Sequence, residues 1–162
     1  MLLISPLRPL EFLLAKVVVM AVVILIGVTA SVFLIIKATL GVPFRGSLLL
    51  FIFFTSFFIF TTSGFGLFIG AIAKNMLQAS QLSVVVLMPI LFLSGSWAPI
   101  EAMPGWMQPL TYLSPLKYYI DASYSIALKG VGLNYLWPEL LGLIVLGVIL
   151  FTLSISILKR VF

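Results

Sequence analysis

Neither cysteine nor histidine occurs anywhere in this chain. Their absence removes disulfides, thiolate nucleophiles, imidazole bases and the usual zinc or haem ligands. Charge is scarce too: only 8% of residues are Asp, Glu, Lys or Arg, against about 25% in an ordinary soluble domain. Nine basic and four acidic residues give a net charge of +5. They form no dense basic run, which argues against a nucleic-acid partner. The phosphate-cradling G-x-x-x-x-G-K-[ST] loop is missing, as are H-E-x-x-H and G-x-S-x-G. No Ser and Lys are spaced as a dyad. The sequence therefore offers no catalytic residue, no cofactor site and no metal site.

Apolar side chains fill the space left by these absences. Of 162 residues, 63% are hydrophobic, and the mean hydropathy is +1.33. A soluble domain of this size cannot hide so much apolar surface, whereas lipid accepts it. The runs predict an all-α polytopic membrane bundle, one membrane domain over 1–162, with about four spans near 17–36, 47–73, 77–93 and 136–158. Residues 17–36 are longer than a signal-peptide core of about 7–15 residues, and no clear cleavage site follows, so this segment reads as a retained span. Before it, residues 1–16 carry Pro6 and Pro9 close together. Proline lacks an N–H and disfavours helix at the residue before it, so a helix is expected to start near Pro9–Glu11. Glu11 then sits where the helix dipole favours an anion. Within the second span, Gly66 and Gly70 form a GxxxG pair suited to close helix packing.

Residues 97–135 are different. Pro99, Pro104, Pro109 and Pro115 break the stretch, and Trp97, Trp106 and five tyrosines crowd it. It is too broken to cross as one helix and too apolar for a solvated loop. Short re-entrant or interfacial helices near Met107–Leu113 and Pro115–Leu128 fit best, the second ended by Gly130 and Gly132. Glu101 and Asp121 lie here, and ionisable groups at membrane depth point to function. They suit a proton path or a cationic substrate. The plainer expectation, which we favour, is that they sit at the interface and pair locally, Asp121 with Lys117 one helical turn away. Glu139 reads as a first-turn residue of the last span. An even number of spans puts both termini on one side. Lys74 and Lys159-Arg160 abut spans, so that side is expected to be the cytoplasm and the re-entrant segment faces outward.

The order of these features resembles the C-terminal half of an ABC transporter permease of the type-2 exporter family. Three stretches carry the resemblance: Ser5-Pro6-Leu7-Arg8-Pro9-Leu10-Glu11 through Lys16; Gly41-Val42-Pro43-Phe44-Arg45-Gly46; and Leu93-Ser94-Gly95, Pro99 to Trp106 and Leu113 to Tyr118. Tyr124 departs from the pattern, because relatives often carry Arg there. The resemblance implies a bacterial inner-membrane subunit that exports drug-, lipid- or polymer-like cargo. ATP hydrolysis would fall to a separate ATP-binding subunit, which would dock near Ser5, Pro6, Arg8, Pro9 and Glu11. It also implies an outer re-entrant segment containing Gly95, Pro99, Glu101, Pro104, Trp106, Pro115 and Asp121. Expected partners are the ATP-binding subunit, a second permease copy, membrane lipid and a separate N-terminal permease half. Family members have about six spans, so a truncated or split subunit is expected here. Two other readings stand beside it: a non-transporting membrane scaffold or inactive remnant, and an ion-coupled carrier using Glu101 and Asp121.

Overall fold

The computed structural model describes residues 9–31, 34 and 45–161, with side chains at 15, 17–31, 34 and 45–157. All elements among them are helical. The chain divides into two compact units, Met1–Val42 and Pro43–Phe162.

The first unit holds α1, Pro9–Ser31. Pro9 opens the helix, where its missing N–H costs nothing and its fixed φ suits the first turn. The helix runs without a break through Lys16 into the apolar run. Val18, Val19, Val23 and Ile26 are exposed by more than half. Thr29 and Ser31 donate their hydroxyls to Leu25 O and Gly27 O one turn back, at 2.7 and 2.8 Å. Such back-bonding lets hydroxyls sit in lipid without an orphaned donor. The expected end of this span at 36 and most of the turn at 37–46 lie outside the described residues.

The second unit is built on α2 (Leu48–Ile72), α3 (Met76–Leu93), α4 (Pro115–Tyr124) and α5 (Leu133–Val161). Of these, α2, α3 and α5 are long and apolar enough to cross a membrane. Their ends follow local chemistry. Ser47 Oγ accepts from Leu50 N at 3.4 Å at the start of α2. Asn75 Oδ1 accepts from Gln78 N at 2.8 Å at the start of α3, and Gln78 Oε1 in turn accepts from Lys74 N. That reciprocal pair satisfies donors that helix starts leave open and sets α3 directly after α2.

α2 and α5 run parallel. Thr61 meets Leu143, and further along Gly64 meets Leu150, Phe151 and Ser154. Gly64 and Gly147 make the approach close: a Cβ on Gly64 would stand 3.0 Å from Leu150, and one on Gly147 would stand 3.0 Å from the Phe60 ring. The rings of Phe60 and Phe151 stack at 4.5 Å beside them. Lipid tails are as apolar as leucine, so this contact is held by fit and by interhelical polar contacts rather than by release of water. Thr61 Oγ1 lies 2.8 Å from Leu143 O and 2.9 Å from Phe57 O in its own helix. One proton serves one carbonyl at a time, so the interhelical bond alternates with a local one. Gly66 and Gly70, the expected packing pair, meet nothing within 4 Å among the described residues.

Two expectations need correction. The last helix begins at Leu133 and not near 136, because the chain turns back on itself at Gly130 and is free to coil again at once. Glu139 is consequently in its second turn, beyond reach of the open N–H groups, and no acidic residue lies in the first turn. The helix expected over Pro115–Leu128 is α-helical only to Tyr124. It widens to a π-helical turn, Ser125–Lys129, that ends on Gly130 with φ +67°.

Candidate functional site

The segment between α3 and α5 is the region where polar side chains, prolines and cavities coincide. It starts with a sharp reversal. Gly95 has φ +82°, and a Cβ there would press on Ile100 at 3.2 Å. Such a φ favours glycine. Ser94 Oγ donates to Leu91 O at 2.6 Å, which satisfies a carbonyl at the open end of α3. Two 3₁₀ turns follow, Ile100–Ala102 and Gln108–Leu113. Pro99 precedes the first. Pro104 O accepts from Met107 N at 2.8 Å and leads into the second. A short helix was expected near Met107–Leu113; the 3₁₀ form suits a stretch with Pro109 inside it, because fewer residues per turn suit short pieces.

Ser114 and Pro115 then start α4, and both are buried. Ser114 has the backbone of an N-cap but makes no cap bond. Its hydroxyl donates instead to Ile90 O at 2.9 Å, which ties the start of α4 to the last turn of α3. Pro115 presets φ for the first helical position.

α4 packs against both parallel helices. Tyr119 stacks on Phe58 with ring centroids 4.4 Å apart, and its hydroxyl lies 3.1 Å from Thr55 Oγ1. Thr55 gives its own proton to Phe51 O at 2.8 Å, so Tyr119 is the donor to Thr55. Tyr118 lies on Gly142 of α5 so closely that a Cβ there would overlap its ring. At the far end of the segment, Ile126 O fills the space a Cβ would need at Gly46, and Arg45 N donates to Ala127 O at 3.0 Å. Between Tyr119 and Ile126 the chain thus passes from the level of Thr55–Phe58 back to the start of α2. Thr55 is seven residues into α2, which is about 10 Å of helix. The stretch from Tyr119 to Ala127 thus lies alongside the first part of α2.

The expected acids fall on one wall. Glu101, Lys117 and Asp121 line a cavity of about 480 Å³ together with Gln108, Thr111 and Tyr112. Lys117 Nζ donates to Asp121 Oδ2 at 3.1 Å and lies 4.8 Å from the centre of the Tyr112 ring. Asp121 is nearly half exposed, so this pair contributes about 0.5 kcal/mol at most. It is the single ion pair among the described residues. Trp106 is 71% exposed. Of the suspected docking residues, Ser5, Pro6 and Arg8 lie outside the described residues, and Pro9 and Glu11 are described by backbone alone.

Sequence reasoning missed Gly142, Tyr118 and Tyr119 as the contacts that seat the hairpin, and Gly147 as a contact between α5 and α2. A signal was present: Leu143, Gly147, Leu150 and Ser154 recur at helical spacing on one face. A second cavity of about 390 Å³ was also missed. It lies between the π-helical turn and α5 and is lined by Ser125, Lys129, Tyr135 and Glu139 among others.

A family model described as ABC-2 type transporter matches residues 2–128. The "Inner membrane transport permease YhhJ" of Escherichia coli is 34% identical over 154 residues, covering 95% of this chain and 41% of that protein. The "Probable multidrug ABC transporter permease YbhR" of the same organism is 34% identical over 145 residues, covering 90% of this chain and 39% of that protein. The "Daunorubicin resistance ABC transporter permease protein DrrB1" of Streptomyces coeruleorubidus is 36% identical over 55 residues, covering 34% of this chain and 19% of that protein. The chain spans about two fifths of the length of its first two relatives. No solved structure matches.

Proposed function

This chain belongs to the ABC-2 type transporter family, and on that premise we propose that it forms part of the membrane pathway of an ATP-driven exporter. ATP is hydrolysed on a separate ATP-binding subunit, and a second permease copy completes the path. The family match over residues 2–128 carries this reading. The names of two relatives speak of multidrug transport and daunorubicin resistance, which supports a hydrophobic, drug- or lipid-like cargo. The subunit lies in the bacterial inner membrane with both termini in the cytoplasm.

In this reading two stretches of the chain divide the work. The stretch with Ser5, Pro6, Arg8, Pro9 and Glu11 meets the ATP-binding subunit and receives its movement. The hairpin from Gly95 to Gly132 sits at the outer end. Its seat is made of ring contacts and single hydroxyl bonds, as at Tyr119, Phe58 and Thr55, and such contacts can slide without leaving a charge unpaired. Closure of the ATP-binding subunits shifts the balance between two arrangements only through contacts that differ between them. The docking stretch and the Tyr118–Gly142 seat are where those differences arise.

The test is co-purification. The tagged chain is expressed with the ATP-binding subunit of its source organism's candidate exporter, and membranes are solubilised. Capture of that subunit, weakened by Arg8→Glu, is the expected result. Failure to capture it in membranes that contain the folded chain would sink the proposal.

A further inference from the structure

Two cations stand on neighbouring backbones where the approach to α2 meets the π-helical turn. Arg45 N donates to Ala127 O at 3.0 Å, and Gly46 lies against Ile126 O, so the two stretches are fastened together by their main chains. Lys129 ends the turn. A Cβ on Gly130, the next residue, would stand 3.4 Å from Arg45 Cβ. Both cations are exposed, and neither takes part in an ion pair among the described residues. Like charges on adjoining backbones repel each other, and an anion shared between them offsets that cost. α2 and α5 both open at this rim, at Leu48 and Leu133, with no acidic residue in either first turn. The positive ends of two helix dipoles thus add to the two side chains. Asp121 is held by Lys117. Glu139 lies in the second turn of α5, with its Oε2 shielded. The surface that flanks the cations is apolar: Leu49, Leu128, Tyr135 and Trp137 are all exposed. Cations beside exposed leucines and aromatic rings are the pattern of a lipid–water boundary.

We propose that Arg45 and Lys129 together bind the phosphate of an anionic phospholipid, whose acyl chains run past Leu49 and Leu128. Arginine offers a planar fork of N–H donors and lysine a mobile ammonium, and both bind phosphate. A glycerol headgroup leaves the phosphate its full negative charge. A choline headgroup carries its own fixed cation, which cancels the charge that the pair would meet. A soluble phosphate lacks the chains that the exposed leucines would cover, so the occupant is the lipid. The site depends neither on export nor on which leaflet it faces.

The experiment is native mass spectrometry of the full chain in a neutral detergent. It is offered equal amounts of dioleoyl phosphatidylglycerol and phosphatidylcholine. One cation beside an anionic headgroup is worth about fivefold in binding, so the pair should retain the glycerol lipid over the choline lipid by roughly 25-fold. Arg45→Gln combined with Lys129→Gln should remove one glycerol lipid per chain while leaving helix content by circular dichroism unchanged. Each single substitution should weaken its retention by about fivefold. Lys74→Gln, just beyond the opposite end of α2, should keep that lipid. An equal concentration of glycerol 3-phosphate should leave it in place, because the acyl chains contribute to holding it. Four results would overturn the proposal: equal retention of the two lipids by the unmodified chain, a glycerol-lipid count unchanged in the double variant, the same loss in Lys74→Gln, or displacement by glycerol 3-phosphate.

Discussion

α3 and α5 are both apolar enough to cross a membrane, yet they meet the rest of the chain in opposite ways. α5 buries Leu136, Leu143 and Ser154 completely or nearly so, and it brings glycines against Tyr118 and Phe60. α3 buries no residue at all. Its valines at 84 and 85 are more than half exposed, and its serines bond back to their own helix. Hydropathy therefore decides that both are spans, but it does not decide what they touch. Small residues facing a neighbour's ring or carbonyl decide that, because in lipid only close fit distinguishes a protein contact from a lipid contact.

The strongest way to break this contrast is at Gly142. Gly142→Val places two methyl groups where the Tyr118 ring lies, and the overlap should cost about 3 kcal/mol. Thermal melting in detergent reads the loss, and a Tyr118→Ala partner substitution should return most of it. At Gly147 the nearest atoms are the rim of the Phe60 ring and the Thr61 hydroxyl, and a ring edge can turn aside. Gly147→Ala should cost about 1 kcal/mol by the same measurement. Thr61→Val removes the polar contact to Leu143 O while keeping the shape. A loss of about 0.6 kcal/mol is expected, reduced in practice because the proton is shared with Phe57 O. On the other side of the contrast, Val84→Ala and Gly66→Ala should leave the melting temperature of the isolated chain unchanged. A loss at Gly66 equal to that at Gly142 would mean that the open face is packed by another chain.

Much of this architecture is readable before any coordinates. Composition places the chain in a membrane, and the four prolines from Pro99 to Pro115 forbid a single crossing between Trp97 and Tyr135. The ends of α2 and α3 are announced by Ser47 and Asn75, whose side chains can reach only their own first turns. The packing glycines are not readable in this way. Gly66 and Gly70 match a known spacing but meet nothing within 4 Å among the described residues, whereas Gly64, Gly142 and Gly147 match no short motif and make close contacts. A motif describes one helix, and a contact needs the phase of two. Glu139 was misplaced for a related reason. Its position in the helix depends on where Gly130 lets the chain turn, and that turn is set by the approach of Arg45 from far away in sequence.

The central structural claim is that the segment from Gly95 to Gly132 enters and leaves by the face on which α2 and α5 begin. The absence of cysteine makes single-cysteine labelling direct. Arg45→Cys, Trp106→Cys, Lys129→Cys and Lys74→Cys are each expressed in intact cells and exposed to a membrane-impermeant maleimide. The account predicts that the first three label together, and that Lys74→Cys labels only after the membrane is opened. Labelling of Arg45→Cys from outside with protection of Lys129→Cys until the membrane is opened would mean that the segment crosses, and would contradict it.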